Sequence, residues 1–510
     1  MVSTPMDHTI STLPREIFWM ILDCLEPRDV IRCRSISRFW NEAFRDPANL
    51  VPLIRKWFPL AKEVRELVHN QTLDTECTNV YDDSDYWCQM FDCIACRYDH
   101  LARGKPKSTQ KFKLSDHFGA SGERKWFPVQ PWENHASHLM QKVDDLFFES
   151  SWTYEDGLLV FLSADHCCLV LVDLETDRSF MVPFIIGGKV IRRARLQKRV
   201  LVVEWAEPKA FHWLNDSDGV HRHFASSFDV EEDSTGGWRV IPRNEWKIMF
   251  LGHPLSERDR FFSSHSKTHY VIYIWQPNRS LYTADDDAPI ESLMVWNISQ
   301  PSSYRPSLDP TGCLRVPSQD TGPEQVTRLG FRELGFFSVR QRGLPAIQRL
   351  EVTDDALAIE ITETICTGPM DRLVGPAEWT SEVQITSIPL TGEGPCLRQT
   401  ITDVKFPPYR GSNGLQMKPL EFAACDGPWY TIVSEAIDEQ AQVGFCLHLS
   451  PFAWPFVLSE FLSVRTPSSS VTVKPEDIYE ITGRGSVCGN ERYLIGENRN
   501  RELVVFRFDK

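Results

Sequence analysis

Residues Gly157–Phe180 read GLLVFLSADHCCLVLVDLETDRSF. Two short apolar runs, rich in Leu and Val, meet at a turn centred on Ala164-Asp165, and a polar turn follows at Glu175-Thr176-Asp177. Runs of this length bounded by turn residues predict buried β-strands. The stretch Gly157–Ala164 is the longest apolar run of the chain, and it falls well short of the ~18 residues that a membrane-crossing helix requires. Related pieces recur downstream: RVLVVEWAEPKAFHWLND, HYVIYIWQPNRS, SLMVWNISQPSS, GFFSVRQRGLPAIQRLEV, EVQITSIPLTGEG, VGFCLHLSP and ELVVFRFDK. Most are a short apolar or alternating strand followed by a turn residue. Their spacing suits one or two four-stranded blades, at about 40–50 residues per blade. The texture from residue 149 to residue 510 therefore predicts a large all-β domain, a β-propeller of six to eight blades, with a β-sandwich pair or mixed β domains as alternatives. The closing strand ELVVFRFD is expected to pair with an early strand and seal the ring, leaving only short edges.

Composition bounds the rest. A chain of 510 residues with 42% hydrophobic and 25% charged residues is ordinary for a globular protein. Its length allows several compact units, or one large β domain with smaller helical pieces. The net charge of −15 argues against a general nucleic-acid binder, although IRRARLQKR (Ile191–Arg199) is locally basic. The opening MVSTPMDHTIST is too polar for a signal peptide, so a cytoplasmic or nuclear location is expected, with no membrane partner. The fourteen cysteines, Cys167 and Cys168 among them, then read as thiols rather than a disulfide framework.

Nearer the start, LPREIFWMILDCL (Leu13–Leu25) has helical period. Pro14 suits a first helical turn, and Ile17, Ile21, Leu22 and Leu25 recur at the spacing of one face. Glu26-Pro27 ends the run and Asp29 favours the start of a second helix carrying Val30 and Cys33. Ser37 reads as the N-cap of a third helix, with Trp40 and Phe44 four residues apart. Three short helices cannot stand alone. They need either the rest of the chain or a partner.

The stretch LPREIFWMILDCLEPRDVIRCRSISRFWNEAF resembles the F-box along its whole length. The Leu-Pro opening, the Ile17/Ile21/Leu25 spacing, Asp29-Val30 and RSISRFW carry the resemblance. Bulky Trp19 and Met20, and Cys33 in place of a commoner Leu, are minor departures. The resemblance implies that Leu13, Pro14, Ile17, Ile21 and Leu25 face a Skp adaptor, with Val30 and Trp40 supporting the fold or the interface. It also implies an SCF-type (Skp–cullin–F-box) ubiquitin ligase, in which this chain is a non-enzymatic substrate receptor for an unidentified target protein. The alternative is an adaptor-bound scaffold outside the ligase, or an enzymatic propeller. Much of the chain, including its ending RGSVCGNERYLIGENRNRELVVFRFD, is similar to fungal F-box proteins with a divergent C-terminal β domain. LMVWNIS (Leu293–Ser299) resembles the Trp-Asp strand of WD repeats, with Asn in place of Asp and no Gly-His pair before it.

The expected organisation is an F-box over residues 10–50, a helical neck with poorly ordered stretches over 51–148, and the β domain over 149–510. Within the neck, LIRKWFPLAKEVRELVHN and YWCQMFDCIACRYDHLARG are helical in period, whereas TLDTECTNVYDDSDY is acidic and turn-rich. Cys88, Cys93, Cys96 and His100 would be an unusual zinc set, because a structural site wants paired ligands on tight turns and here the segment is helical. Buried helix cysteines are the simpler reading. His221–His223 (HRH) and Asp285–Asp287 (DDD) read as solvated loop residues, and Arg192, Arg193, Arg195 and Arg199 as a solvated strand edge or a phosphate partner. No phosphate-binding loop, nucleophile elbow or His-Glu-x-x-His motif is present; GRGSVCG (Gly483–Gly489) has the wrong spacing. No catalytic residue, metal or cofactor is expected. The Pro/Ser-rich stretches SQPSSYRPSLDPTGCLRVPSQDTGPEQ and KFPPYRGSNG are the better candidates for recognition loops.

Overall fold

A computed structural model describes residues 14–69, 84–115, 120–121, 124–125, 152–215, 218–248, 255, 260–276, 289–310, 320–342, 347–367, 380–404, 432–452, 457–473, 480–482, 487–498 and 500–509. Leu13, the DDD run, the stretch KFPPYRGSNG and most of TLDTECTNVYDDSDY lie outside the described residues.

Six four-stranded antiparallel sheets form a six-bladed propeller. Blade one takes Trp152–Glu155, Leu158–Ser163, Cys168–Asp173 and Arg178–Met181. Blade two takes Val190–Gln197, Val200–Ala206, His223–Glu232 and Trp238–Lys247. Blade three is Arg260–His265, His269–Gln276, Ile290–Asn297 and Glu324–Leu329. Blade four is Ile347–Val352, Ala358–Thr367, Thr380–Pro389 and Leu397–Val404. Blade five is Ile432–Asp438, Val443–Phe452, Val457–Arg465 and Ser470–Thr472. In each blade the first strand is innermost and meets the first strand of a neighbouring blade.

Strand period explains the apolar runs. Side chains alternate between the two faces of a sheet, and in a propeller both faces meet another blade. Leu158, Val160 and Leu162 join blade two residues in one core cluster, while Leu159 and Phe161 join Tyr493, Ile495, Leu503 and Val505 of blade six in another. Every residue of Leu158–Ser163 is buried as a result.

Blade six closes the ring. Val487–Gly489, Tyr493–Glu497 and Glu502–Arg507 are consecutive, but the fourth strand is Ser108–Lys113, with Ser108 opposite Arg507 and Lys113 opposite Glu502. The expected sealing of the ring by ELVVFRFD thus holds. Its partner comes from inside the stretch assigned to the neck, where the polar residues STQKFK gave no strand signal because only one edge of an outermost strand is covered. Beyond it, the Ser115 N–H donates to Leu162 O (2.9 Å) and so fastens the closing strand to blade one.

Ahead of the ring stand α1 (Arg15–Cys24), α2 (Pro27–Cys33), α3 (Arg38–Ala43), α4 (Pro47–Trp57), α5 (Lys62–His69) and α6 (Ser84–Ala102). At ~1.5 Å per residue, the 19 residues of α6 make a strut. Its stretch from Trp87 to Ala95 (Trp87, Cys88, Phe91, Ile94, Ala95) packs with Phe18, Leu22, Val30 and Phe44 of the first helices, and Leu101 near its end belongs to the core shared by blades five and six. Tyr98 touches both cores.

A buried ionic cluster fastens this strut and α5 to the ring. Arg97 (1% exposed) pairs with Glu63 of α5 and, at 3.1 Å, with Glu491 of blade six, itself 1% exposed. Glu491 also accepts from the Lys62 N–H (2.7 Å) and the Tyr98 hydroxyl (3.0 Å). Arg492 bridges Glu63 (2.8 Å) and Glu175 of blade one (2.6 Å). Burial alone would raise the pKa of Glu63, but the charge and hydrogen bond of Arg97, with the charge of Arg492, outweigh it and hold the carboxyl at about 2.

Candidate functional site

The first three helices form as their residues dictate. Pro14 caps α1, and Ser37 caps α3 by accepting from the Trp40 N–H (3.2 Å). Phe44 is the hub, with Phe18 edge-on at 5.5 Å and Trp40 stacked at 5.4 Å. Arg34 ties α2 to α6 through Asp92 (2.6 Å), and its guanidinium also donates to Phe44 O (3.2 Å). Asn49 donates to Ala43 O (2.9 Å) and fixes the start of α4 beneath α3.

The apolar residues of α1 divide between two faces. Phe18 and Leu22 point into the lobe, whereas Ile17 is 44% exposed and Ile21 and Leu25 are half-buried. The expectation of one face over Ile17, Ile21, Leu22 and Leu25 is therefore corrected: residues 17 and 18 straddle the boundary, and Leu22 belongs to the core. Pro14 is exposed, Val30 is fully buried in the lobe, and Trp40 is half-buried against Phe44. Sequence reasoning overlooked Met20, Ile36 and Phe39, which are 66%, 61% and 52% exposed. Met20 lies three residues from Ile17, and Phe39 three from Ile36, so each pair shares a helix side or turn. With Ile17 they are large apolar side chains that the first helices leave in water.

Other candidate residues resolve differently. Cys88, Cys93, Cys96 and His100 all lie along α6, and the His100 ring bonds to Lys105 O (2.9 Å) past the helix end. Among the described residues, no three His, Cys, Asp or Glu side chains stand close enough to share a metal ion. The histidines of HRH are not solvated: His221 and His223 are 4% and 1% exposed. Arg192 donates to Nε2 of His223 (2.7 Å), so His223 Nδ1 carries the proton, donated to His221 O (2.9 Å). Burial, then the charge of Arg192, hold the His223 pKa well below its ordinary value. Arg199 sits in the turn after Gln197, paired with Asp156 at 3.0 Å, but the run from Arg192 to Arg195 is likewise no solvated edge. It lies on the innermost strand of blade two, where Arg193 reaches Ser263 O (3.0 Å) and Arg195 the same oxygen (3.0 Å), joining blades two and three. GFFSVRQRGLPAIQRLEV is only partly strand, because Gly335 and Phe336 end a short helix, Phe331–Phe336.

Among the described residues no helix is long and apolar enough to cross a membrane. A family model described as F-box-like matches residues 10–50. No curated protein matches the chain. Among solved structures, the crystal structure of the C-terminal domain of gp131 from bacteriophage phiKZ aligns over 70% of this chain and 78% of its own at 10% identity. Its TM-score is 0.19, too low to carry an argument. Residues 10–50 are an F-box-like domain, joined by a helical neck to a six-bladed β-propeller.

Proposed function

We propose that this chain is the substrate-receptor subunit of an SCF-type ubiquitin ligase, in which the helical lobe binds a Skp adaptor, and through it a cullin, while the propeller holds a target protein. The observation that carries this reading is the exposed apolar set Ile17, Met20, Ile36 and Phe39 on an F-box-like lobe whose own core is already complete. Pro14, Ile21 and Leu25 join that set at the adaptor, and the F-box resemblance adds Leu13. The chain itself performs no covalent chemistry in this role. Holding a target lysine near a charged ubiquitin-conjugating enzyme makes the transfer effectively intramolecular, and effective concentration does the work. The ionic cluster of Glu63, Arg97, Glu491 and Arg492 supports the reading, because it sets the adaptor-facing lobe and the propeller in one orientation.

The test is a pull-down of the full-length chain from cell extract beside the Leu13→Ala/Pro14→Ala double variant and an Ile17→Ala/Met20→Ala double variant. Adaptor and cullin should accompany the wild type and be lost from both variants, while the melting of the β domain stays unchanged. Adaptor without cullin would point to a scaffold role outside the ligase. Failure of both to bind would sink the receptor reading.

A further inference from the structure

The outermost strand of each blade presents a far edge of main-chain N–H and C=O groups, with which another strand can pair unless something guards it. Most of these edges are short or guarded. The edge strand of blade one has four residues and that of blade five has three. In blade two Pro242 interrupts the strand, and the Pro/Ser-rich insertion lays its Ser302 N–H on Arg243 O (3.0 Å). In blade three the strand stops after six residues, and the short helix Phe331–Phe336 turns back against it. In blade six Lys111 and Lys113 stand on the strand, and lysines at an edge discourage pairing.

Blade four differs. Leu397–Val404 (LRQTITDV) runs for eight residues with neither Pro nor Lys. Its one cation, Arg398, is drawn to the end of the short helix, donating to Phe337 O (2.6 Å) and Ser338 O (3.2 Å). Leu397 is 64% exposed, and among the described residues nothing bonds to the outer edge of the strand. A groove of about 580 Å³ opens at its start, walled by Phe336, Phe337, Gly394 and Pro395. Phe336 is 77% exposed there. One arginine, Arg332, and two glutamates, Glu333 and Glu393, also line the groove, and Glu333 already accepts from the Gly330 N–H (2.9 Å). Neither sign of charge dominates, so the complement of this site is uncharged.

We propose that the outer edge of blade four binds an extended, uncharged segment of another polypeptide as a fifth strand. The segment pairs through its main chain with Leu397–Val404 and places an aromatic or aliphatic side chain in the groove beside Phe336. Unmet main-chain donors and acceptors in a row are answered by another strand, and in strand addition the pairing supplies affinity while side-chain pockets supply selectivity. Successive side chains of a strand point to opposite faces, so only every second residue of the segment reaches the groove. Binding at this edge does not involve the F-box-like lobe; only the assignment of the segment to a ligase target rests on the receptor reading.

The experiment pans a phage-displayed library of random octapeptides against the immobilised full-length chain and measures the enriched peptides by fluorescence anisotropy. Methylating every second main-chain N–H of a peptide should weaken it by about tenfold or more in one phase and by less than about twofold in the other. Only alternate N–H groups of a strand face its neighbour, and about tenfold is what the loss of one or two hydrogen bonds gives. On the protein, Gln399→Pro and Thr400→Pro remove consecutive N–H groups, one facing the sheet and one facing out. The variant that keeps the wild-type melting temperature lacks the outward N–H and should bind about tenfold more weakly. Phe336→Ser, at an exposed position, should weaken binding by a smaller factor. The methylation comparison needs no variant. The proposal is overturned if no peptide enriches above an empty support, if the two methylation phases bind alike, or if the folded proline variant binds as the wild type does. A dimer in sedimentation that this proline variant renders monomeric would instead give the edge to a second copy. Peptide binding seen only after a Gly/Ser linker replaces residues 405–431, between the last strand of blade four and the first of blade five, would give it to the chain's own segment. Either result overturns the proposal.

Discussion

The helical lobe and the propeller reach buried cores by opposite routes. In the lobe, near neighbours in sequence do the work: Phe18, Phe44 and the α6 face from Trp87 to Ala95 close one core over the first hundred residues. In the ring, the decisive pairing joins chain ends. Gln110 and Arg507 are 397 positions apart, yet they sit on adjacent strands and share a side-chain hydrogen bond. The two routes meet in α6, which serves both cores and leads straight into the closing strand. The lesson is that the neck is a structural member of the propeller. It is not a spacer.

The sharpest way to break this comparison is truncation at residue 149, the boundary the β texture suggests. That chain lacks α6 and Ser108–Lys113 and exposes the long edge of Glu502–Arg507. It should aggregate or melt without a cooperative transition, whereas a chain starting at 84 should retain one by circular dichroism. If the 149–510 chain melts cooperatively near the full-length temperature, the ring does not need the neck.

A smaller but still large effect is expected for Glu491→Ala. Removing Glu491 leaves buried Arg97 with Glu63 alone and takes the acceptor from the Tyr98 hydroxyl and the Lys62 N–H, at a cost of about 3–5 kcal/mol, read by urea unfolding. Replacing the pair jointly, Arg97→Met with Glu491→Leu, should recover only part of that loss, because the apolar pair needs no compensating charge but the Lys62 N–H and the Tyr98 hydroxyl still lose their acceptor.

Acid should loosen the same junction. Because the folded pKa of Glu63 is depressed to about 2, its stabilisation is full above pH ~4.5 and is lost as the pH falls from there toward 2. The difference amounts to on the order of 3 kcal/mol. Glu63→Gln should be less stable at neutral pH and lose little more through that window, so parallel wild-type and variant stability curves between pH 5 and pH ~2.5 would contradict the assignment.

Within α1 the comparison narrows to two positions five residues apart. Leu22→Ala should cost about 2–5 kcal/mol because Leu22 is fully buried. Ile17→Ala should change stability by no more than about 0.5 kcal/mol, as exposed substitutions do, while weakening adaptor binding. Equal destabilisation at the two sites would make Ile17 a core residue.

How much of this was legible beforehand follows the same divide. The helices of the lobe carry their signals locally: Ser37 is a cap in sequence and in space, and RSISRFW is recognisable as it stands. The faces of α1 were misassigned because a broad apolar stripe does not say which edge meets the core. The arginines of blade two and the histidines of HRH were read as solvated because their partners, Ser263 and Arg192 among them, come from other strands and are invisible to a local pattern.

By itself, then, the sequence determined the two classes of structure and the F-box-like lobe, since helical period, strand length and turn residues are properties of neighbouring positions. Tertiary structure alone decided that there are six blades, that STQKFK closes the ring and that Glu63, Arg97, Glu491 and Arg492 lock neck to propeller. It also decided that Phe336 and Pro395, distant in sequence, wall one groove beside the edge of blade four. The physical reason is shared: each of these depends on desolvating groups that lie far apart along the chain, and burial is settled only when the distant partner arrives.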